Sequence, residues 1–240
     1  MAMAEGTRTA SAAFLDWLDE WYAGLQPVAL ADLLAEAGGP DRTTFVCEDL
    51  LEGFCRQGRL SSPRVEAIIE PIVRLMRRAH DAGVRRFVLP QDAHPPDSPE
   101  FGAYGTHCVV GTPEAETVAE LKALPFAHEF IIIPKQSLSP AIGTELPDWL
   151  DREGTPALAI VTGDCTDLCV HQVSLYLKLR ANARGEESEV VVPADCVDTY
   201  DLPVGAAREI GVVPHDGELM HRLFLYHLAL NGVRIVKSVA

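Results

Sequence analysis

The chain has 240 residues, 48% of them hydrophobic and 23% charged, which suits one compact α/β domain with a full core and not a disordered chain. Its 35 acidic residues against 20 basic ones give a formal charge of −15, a field that repels nucleic acid and anionic membrane surfaces and speaks against both as partners. No apolar run reaches membrane-spanning length, and the opening MAMAEGTRTASAAFLDWLDEW is charged too early and too often for a signal peptide, so a cytoplasmic setting is expected.

The first 41 residues stand apart from the rest. AAFLDWLDEWYAGL and ALADLLAEAGG read as two amphipathic helices before the first strand, so an N-terminal helical extension over 1–41 is expected ahead of a main domain over 42–240. The simplest role for these helices is packing on the domain body. The alternatives are a subunit contact, in keeping with an expected homo-oligomer, or a cap over the site.

From residue 42 apolar runs alternate with helical patterns. TTFVCED (43–49), RRFVLPQD (85–92), EFIIIPK (129–135), PALAIVTGD (156–164), EVVVPAD (189–195) and VRIVKSV (233–239) read as strands. Each is almost continuously apolar, as strands of a parallel sheet covered on both faces are. Residues 62–83, 166–184 and 217–231 read as helices, each ending at or just before a glycine, and Pro71 is placed to kink the first. The βαβ rhythm predicts a doubly wound, mostly parallel six-stranded sheet flanked by helices, a Rossmann-like three-layer α/β fold.

Such sheets bind ligands beyond the carboxyl ends of their strands. Those ends are Asp49, Asp92, Lys135, Gly163–Asp164 and Asp195. The six cysteines are Cys47, Cys55, Cys108, Cys165, Cys169 and Cys196; in a reduced setting each is either a small buried hydrophobe or a working thiolate. Cys169 falls in the first turn of the helix after strand 156–164. Unpaired N–H groups there favour a thiolate and are placed to bind an oxyanion, with Thr166 or Asp164 as the expected N-cap. Position alone leaves a buried structural cysteine as the stronger reading.

Four separated blocks shift that balance: EDLLEGFC (48–55), QDAHPPDSPEFGAYGTHCVVGTPEAE (91–116), IIIPKQSLSPAIGTEL (131–146) and TGDCTDLCV (162–170). Over residues 42–240 the chain resembles the isochorismatase-like cysteine hydrolases, and within them the nicotinamidase branch. The resemblance implies a catalytic Asp49, Lys135 and Cys169, with the backbone N–H groups of Cys165 and Cys169 as oxyanion hole and a cis bond at Asp164–Cys165. It implies one divalent metal ion on Asp92, His94 and His107, zinc before iron or manganese, with Ser98 or water completing the site. Phe54 and Tyr104 match substrate-contacting aromatics, and Asp167 is expected to order the turn.

Three positions depart from the pattern. Glu48 stands where an apolar residue is usual, and alternation along a strand predicts that it faces away from Asp49. Ala93 and Tyr104 each replace a tryptophan. Cys47, Cys55, Cys108 and Cys196 read as packing cysteines. His171, His221 and His227 read as helix residues without a role, and His80, His128 and His215 carry no signal.

The activity implied is hydrolysis of a small heteroaromatic amide to acid and ammonia through a cysteine thioester, with a small-molecule amide as the partner. The alternatives are a different small amide, carbamoyl or ureide substrate on the same fold, or a family member that has lost catalysis.

Overall fold

The computed structural model describes residues 6–240. Six parallel strands, β1 (Thr43–Glu48), β2 (Arg86–Asp92), β3 (Phe130–Lys135), β4 (Leu158–Asp164), β5 (Glu189–Pro193) and β7 (Arg234–Val236), form one sheet in the order β3-β2-β1-β4-β5-β7. A seventh, β6 (Val197–Asp198), is two residues long and pairs with the end of β4. The order reverses direction between β1 and β4, so the crevice where a doubly wound sheet takes its ligand lies between Asp49 and the Gly163–Asp164 pair.

The helices used below are α1 (Ala12–Ala23), α2 (Leu30–Glu36), α3 (Pro63–Ala67), α4 (Ile69–Asp81), α5 (Leu146–Glu153), α6 (Cys169–Arg184), α7 (Val204–Ile210) and α8 (Gly217–Leu230). Successive strand residues serve opposite faces. Phe45, Phe87, Leu89 and Ile160 join α2 and α4 in one core, while Val46, Val88, Val161 and Val192 join α5, α6 and α8 in the other. That two-sided burial is why the strands read as unbroken apolar runs. The edge strand β3 differs, with Ile132 47% exposed.

The expected helix over 62–83 is two helices, broken at Ile68. Pro71 lacks the N–H that would bond Ala67, and its ring would meet that carbonyl; restarting at Ile69 places the proline in a first turn, where neither matters. The two N-terminal helices pack on the body. Leu30, Leu33 and Leu34 of α2 enter the first core, and the connecting backbone is stitched to the other terminus by Lys237 N–H to Gln26 O and Ala240 N–H to Val28 O. Among the described residues no helix is long and apolar enough to cross a membrane.

Candidate active site

Four strand ends deliver Asp49, Asp92, Lys135 and the Gly163–Cys169 turn to one place at the sheet's carboxyl edge. The expected Asp195 is not among them; it lies exposed beyond β5. The geometry centres on the Lys135 ammonium, which is fully enclosed. Its Nζ lies 2.5 Å from Asp92 Oδ1, 2.7 Å from Asp49 Oδ2, 3.5 Å from Cys169 Sγ and 3.8 Å from Glu48 Oε1. A lysine has three N–H donors, so two go to carboxylates and the third faces the sulfur. The second oxygen of Asp49, Oδ1, accepts the Asp92 backbone N–H at 2.8 Å. Asp49 itself turns with φ 51°, a left-handed conformation that aspartate tolerates better than most side chains.

That turn overturns the expectation for Glu48. Alternation should send it to the opposite face, but strand geometry ends at Glu48, and its carboxyl, the Asp49 carboxylate and Cys169 Sγ offer atoms within 4.8 Å of one another. Glu48 is completely buried and neither of its oxygens has a hydrogen-bond partner. Burial, then the Asp49 charge, pushes its pKa well above the carboxylate range. A buried acid without a hydrogen bond, with the Lys135 ammonium no nearer than 3.8 Å, costs about 1–3 kcal/mol. Glu48→Leu is therefore expected to raise stability by about that amount, seen as a higher urea midpoint at unchanged slope; a lower midpoint would show that the carboxyl has a partner.

Cys169 is the first residue of α6, as expected, although the helix begins three residues later than predicted and neither Thr166 nor Asp164 caps it. The N-cap position is Leu168 without a side-chain bond, while Thr166 Oγ1 is engaged with His221 Nδ1 at 2.9 Å. The Asp164–Cys165 peptide is cis. The N–H groups of Cys165 and Cys169 donate to no backbone carbonyl in this turn. Gly163, at φ 108°, admits no side chain, since a Cβ there would sit 1.9 Å from the Glu48 carbonyl oxygen.

The thiol is not a resting thiolate. Burial pushes Cys169 well above the usual thiol range, and Asp49, Asp92 and Glu48 add to this, outweighing the opposing Lys135 charge. Burial also lifts Asp49, to about 6, with Asp92 adding and Lys135 opposing. The cluster thus holds a protonated sulfur beside a carboxylate whose pKa sits near neutrality, which is where a general base is most effective.

On the far side of Asp92 lie the two imidazoles. His94 Nε2 and His107 Nε2 are 3.4 Å and 3.6 Å from Asp92 Oδ2, and the three donor atoms fall within 4.8 Å of one another. Burial would raise Asp92, but Lys135 and the two imidazoles hold it well below the usual range. His107 Nδ1–H donates to Gly105 O at 2.8 Å, which fixes the ring with Nε2 toward Asp92. His94 Nε2 is buried without a hydrogen-bond partner. One carboxylate oxygen and two imidazole nitrogens form a donor set that fits a divalent ion such as zinc. Ser98 does not complete it: its Oγ lies 3.3 Å from His94 Nδ1, on the opposite side of that ring, where it orients the imidazole.

A small, largely apolar pocket reaches Asp49, Asp92, His107, Cys165 and Cys169. Phe54 and Tyr104, matched to substrate-contacting aromatics from sequence, line it. Leu60, Leu138, Leu168 and Tyr200 line it too, as does Glu100, whose Oε1 is buried and unpartnered. These five were not singled out from sequence. They come from loops without periodicity; Glu100, Leu138 and Leu168 lie within the 91–116, 131–146 and 162–170 blocks, while Leu60 and Tyr200 lie outside all four. The remaining cysteines, Cys47, Cys55, Cys108 and Cys196, are buried away from this pocket with free thiols.

Fold and site together define a doubly wound α/β domain with a cysteine, two aspartates and a lysine buried at its switch point. The isochorismatase domain profile matches residues 43–207. The chain is 30% identical over 215 residues to nicotinamidase 1 of Arabidopsis thaliana, covering 82% of this chain and 86% of that protein. In fold it is similar to a nicotinamidase of Bacillus subtilis (TM-score 0.63, 22% identity, 81% of this chain and 99% of that one). It is also similar in fold to a pyrazinamidase of Pyrococcus horikoshii in complex with zinc (TM-score 0.62, 23% identity, 82% and 99%). The chain belongs to the isochorismatase family of hydrolases.

Proposed function

We propose that this protein is a cysteine amidohydrolase that converts nicotinamide, or a closely similar heteroaromatic amide, to the acid and ammonia. The observation that carries this is the single buried ammonium of Lys135, in contact at once with Asp49, Asp92 and Cys169 at the foot of the pocket. The similarity to a plant nicotinamidase supports the substrate class.

Asp49 takes the Cys169 proton as the sulfur attacks the amide carbonyl carbon, while Lys135 faces the developing thiolate and keeps Asp49 in place. The N–H groups of Cys165 and Cys169 receive the oxyanion. Asp49 then passes its proton to the amide nitrogen, the C–N bond breaks, and ammonia leaves an acyl group on sulfur. Asp49 next takes a proton from water, whose oxygen attacks the thioester carbon; the thiolate leaves and recovers that proton, releasing the acid. Phe54, Tyr104 and Tyr200 provide flat apolar walls suited to an aromatic ring. Asp92, His94 and His107 would hold one divalent ion, zinc for preference, which when bound supplies a Lewis-acid contact that orients the substrate.

The test is ammonia release across a panel of small amides, with and without chelator. Nicotinamide is expected among the best substrates and chelator is expected to suppress turnover; turnover confined to non-aromatic amides and indifferent to chelator would remove the nicotinamide reading. Independently of activity, His94→Ala is expected to weaken zinc binding by about 100-fold in equilibrium dialysis. Unchanged affinity would place the ion elsewhere.

A further inference from the structure

The turn that carries Cys165 and Cys169 is held from outside. No side chain caps α6, and Asp167, just before its N-cap, sends its carboxylate sideways instead: Oδ2 lies 2.8 Å from His215 Nε2. The other ring nitrogen of His215, Nδ1, lies 2.8 Å from the Tyr200 carbonyl oxygen. The His215 ring also stacks on the Tyr200 ring, with centroids 4.0 Å apart and planes 16° from parallel. Tyr200 and Leu168 both line the substrate pocket. One imidazole therefore touches the nucleophile turn and the pocket wall together. It stands in the segment joining α7 to α8, beyond the residues matched by the isochorismatase domain profile.

Both ring nitrogens face groups that only accept. A carbonyl oxygen and a carboxylate oxygen have no hydrogen to give, so both bonds require ring N–H, and an imidazole with two N–H groups is the cation. The surroundings agree with this. Burial would lower the His215 pKa, but the bonds to Asp167 and the Tyr200 carbonyl, with the Asp167 and Asp201 charges, raise it overall. Asp167 is lowered against the push of burial, by His215 first and then by Thr199. The carboxylate next in sequence, Asp216, is occupied elsewhere, accepting Leu219 N–H at the start of α8.

We propose that His215 is a positioning residue, which as an imidazolium clamps Asp167, and with it the turn bearing the Cys165 and Cys169 N–H groups, against the Tyr200 wall. The proposal rests on the thioester mechanism above, because it is the oxyanion and the nucleophile that the clamp would keep in register. It carries a pH signature. The clamp is complete below the ordinary histidine value of about 6.5 and is lost as pH rises through the raised value in the folded protein. Above that, one ring nitrogen turns a lone pair toward a carbonyl or a carboxylate. The Asp167 side has the opposite sense: its contribution is present above the ordinary carboxylate range and is lost as pH falls through its lowered value.

The experiment compares the full-length wild type with His215→Gln and His215→Ala, with melting followed by circular dichroism to confirm folding. The quantity read is kcat/KM for ammonia release from nicotinamide between about pH 6 and about pH 9.5, a span that brackets histidine titration. A glutamine side chain can place an N–H where Nε2 stands and cannot lose it over this range. Wild-type kcat/KM is expected to fall on the alkaline side, and His215→Gln to stay within about threefold of wild type at the acid end without that fall. His215→Ala is expected to lose about tenfold even at the acid end, the rate equivalent of one hydrogen bond between charged groups. Superimposable wild-type and His215→Gln profiles, or a His215→Ala enzyme equal to wild type, would overturn the proposal. Failure of the mechanism beneath it looks different: Cys169→Ala would then turn over as fast as wild type, or wild type would release no ammonia at all.

Discussion

Cys169→Ala is expected to lower kcat by about a thousandfold or more, because the covalent route closes and only the binding and oxyanion contacts remain. The fold should survive. The thiol is a small buried group whose polar contacts are the Lys135 ammonium 3.5 Å away and the Asp49 carboxyl, so its removal changes stability by about 1 kcal/mol. Two measurements separate this expectation from simple unfolding. Circular dichroism melting should give nearly the wild-type midpoint. Acid-quenched wild type, sampled during turnover, should show by intact mass the substrate's acyl group added to the protein, and Cys169→Ala should show none. A variant that still turns over, or that still acquires the mass, would move the nucleophile to another residue.

Lys135→Met is expected to damage both activity and stability, for one electrostatic reason. The methionine keeps an apolar stem, but the only cation within 4 Å of Glu48, Asp49 and Asp92 among the described residues is gone. Removing one partner of a buried ion pair typically costs about 3–5 kcal/mol, since the remaining charge has neither water nor a counter-ion. Part of that is recovered by protonation, which lifts Asp49 and Asp92. The loss in chemical denaturation should therefore be largest at high pH and shrink as the carboxylates take up protons. Turnover should fall along with it, because an Asp49 that binds its proton tightly no longer serves as base. A variant with wild-type stability across the pH range would show that the carboxylates do not depend on Lys135. Lys135→Arg is not a rescue, since a planar five-donor fork does not fit a space enclosed on all sides.

What could be read before any coordinates was mainly periodicity and punctuation. Continuous apolar runs bounded by charged residues located all six main strands; in β1, β2, β4 and β5 the reason is that a strand covered on both faces has no position that favours a polar side chain. The strand ends then named Asp49, Asp92, Lys135 and Gly163–Asp164, since a parallel sheet aligns its carboxyl ends whatever the order of its strands. Gly163 shows why a motif can be local. Its conformation and the approach of β1 exclude every other residue at that point.

The rest depended on contacts between residues far apart in sequence or on single backbone angles. Glu48 was expected to face away from Asp49; the left-handed turn at Asp49 stops the alternation and leaves both carboxyls against Lys135. Ser98 was weighed as a metal ligand, but the ring of His94 interposes, with Nδ1 toward the serine and Nε2 toward Asp92. Cys169 seemed favoured as a thiolate by its helix position; complete burial among three carboxyls outweighs one ammonium. His215 carried no signal at all, because its two partners lie 48 and 15 residues away along the chain. The amino-acid order alone determined the sheet, its layers and the groups delivered to its carboxyl edge, since these follow from local hydrophobic pattern. Only the tertiary structure decided which way those groups point, which of them share one cation and which distant residues touch the Cys165–Cys169 turn, since orientation and shared charge arise only when distant segments meet.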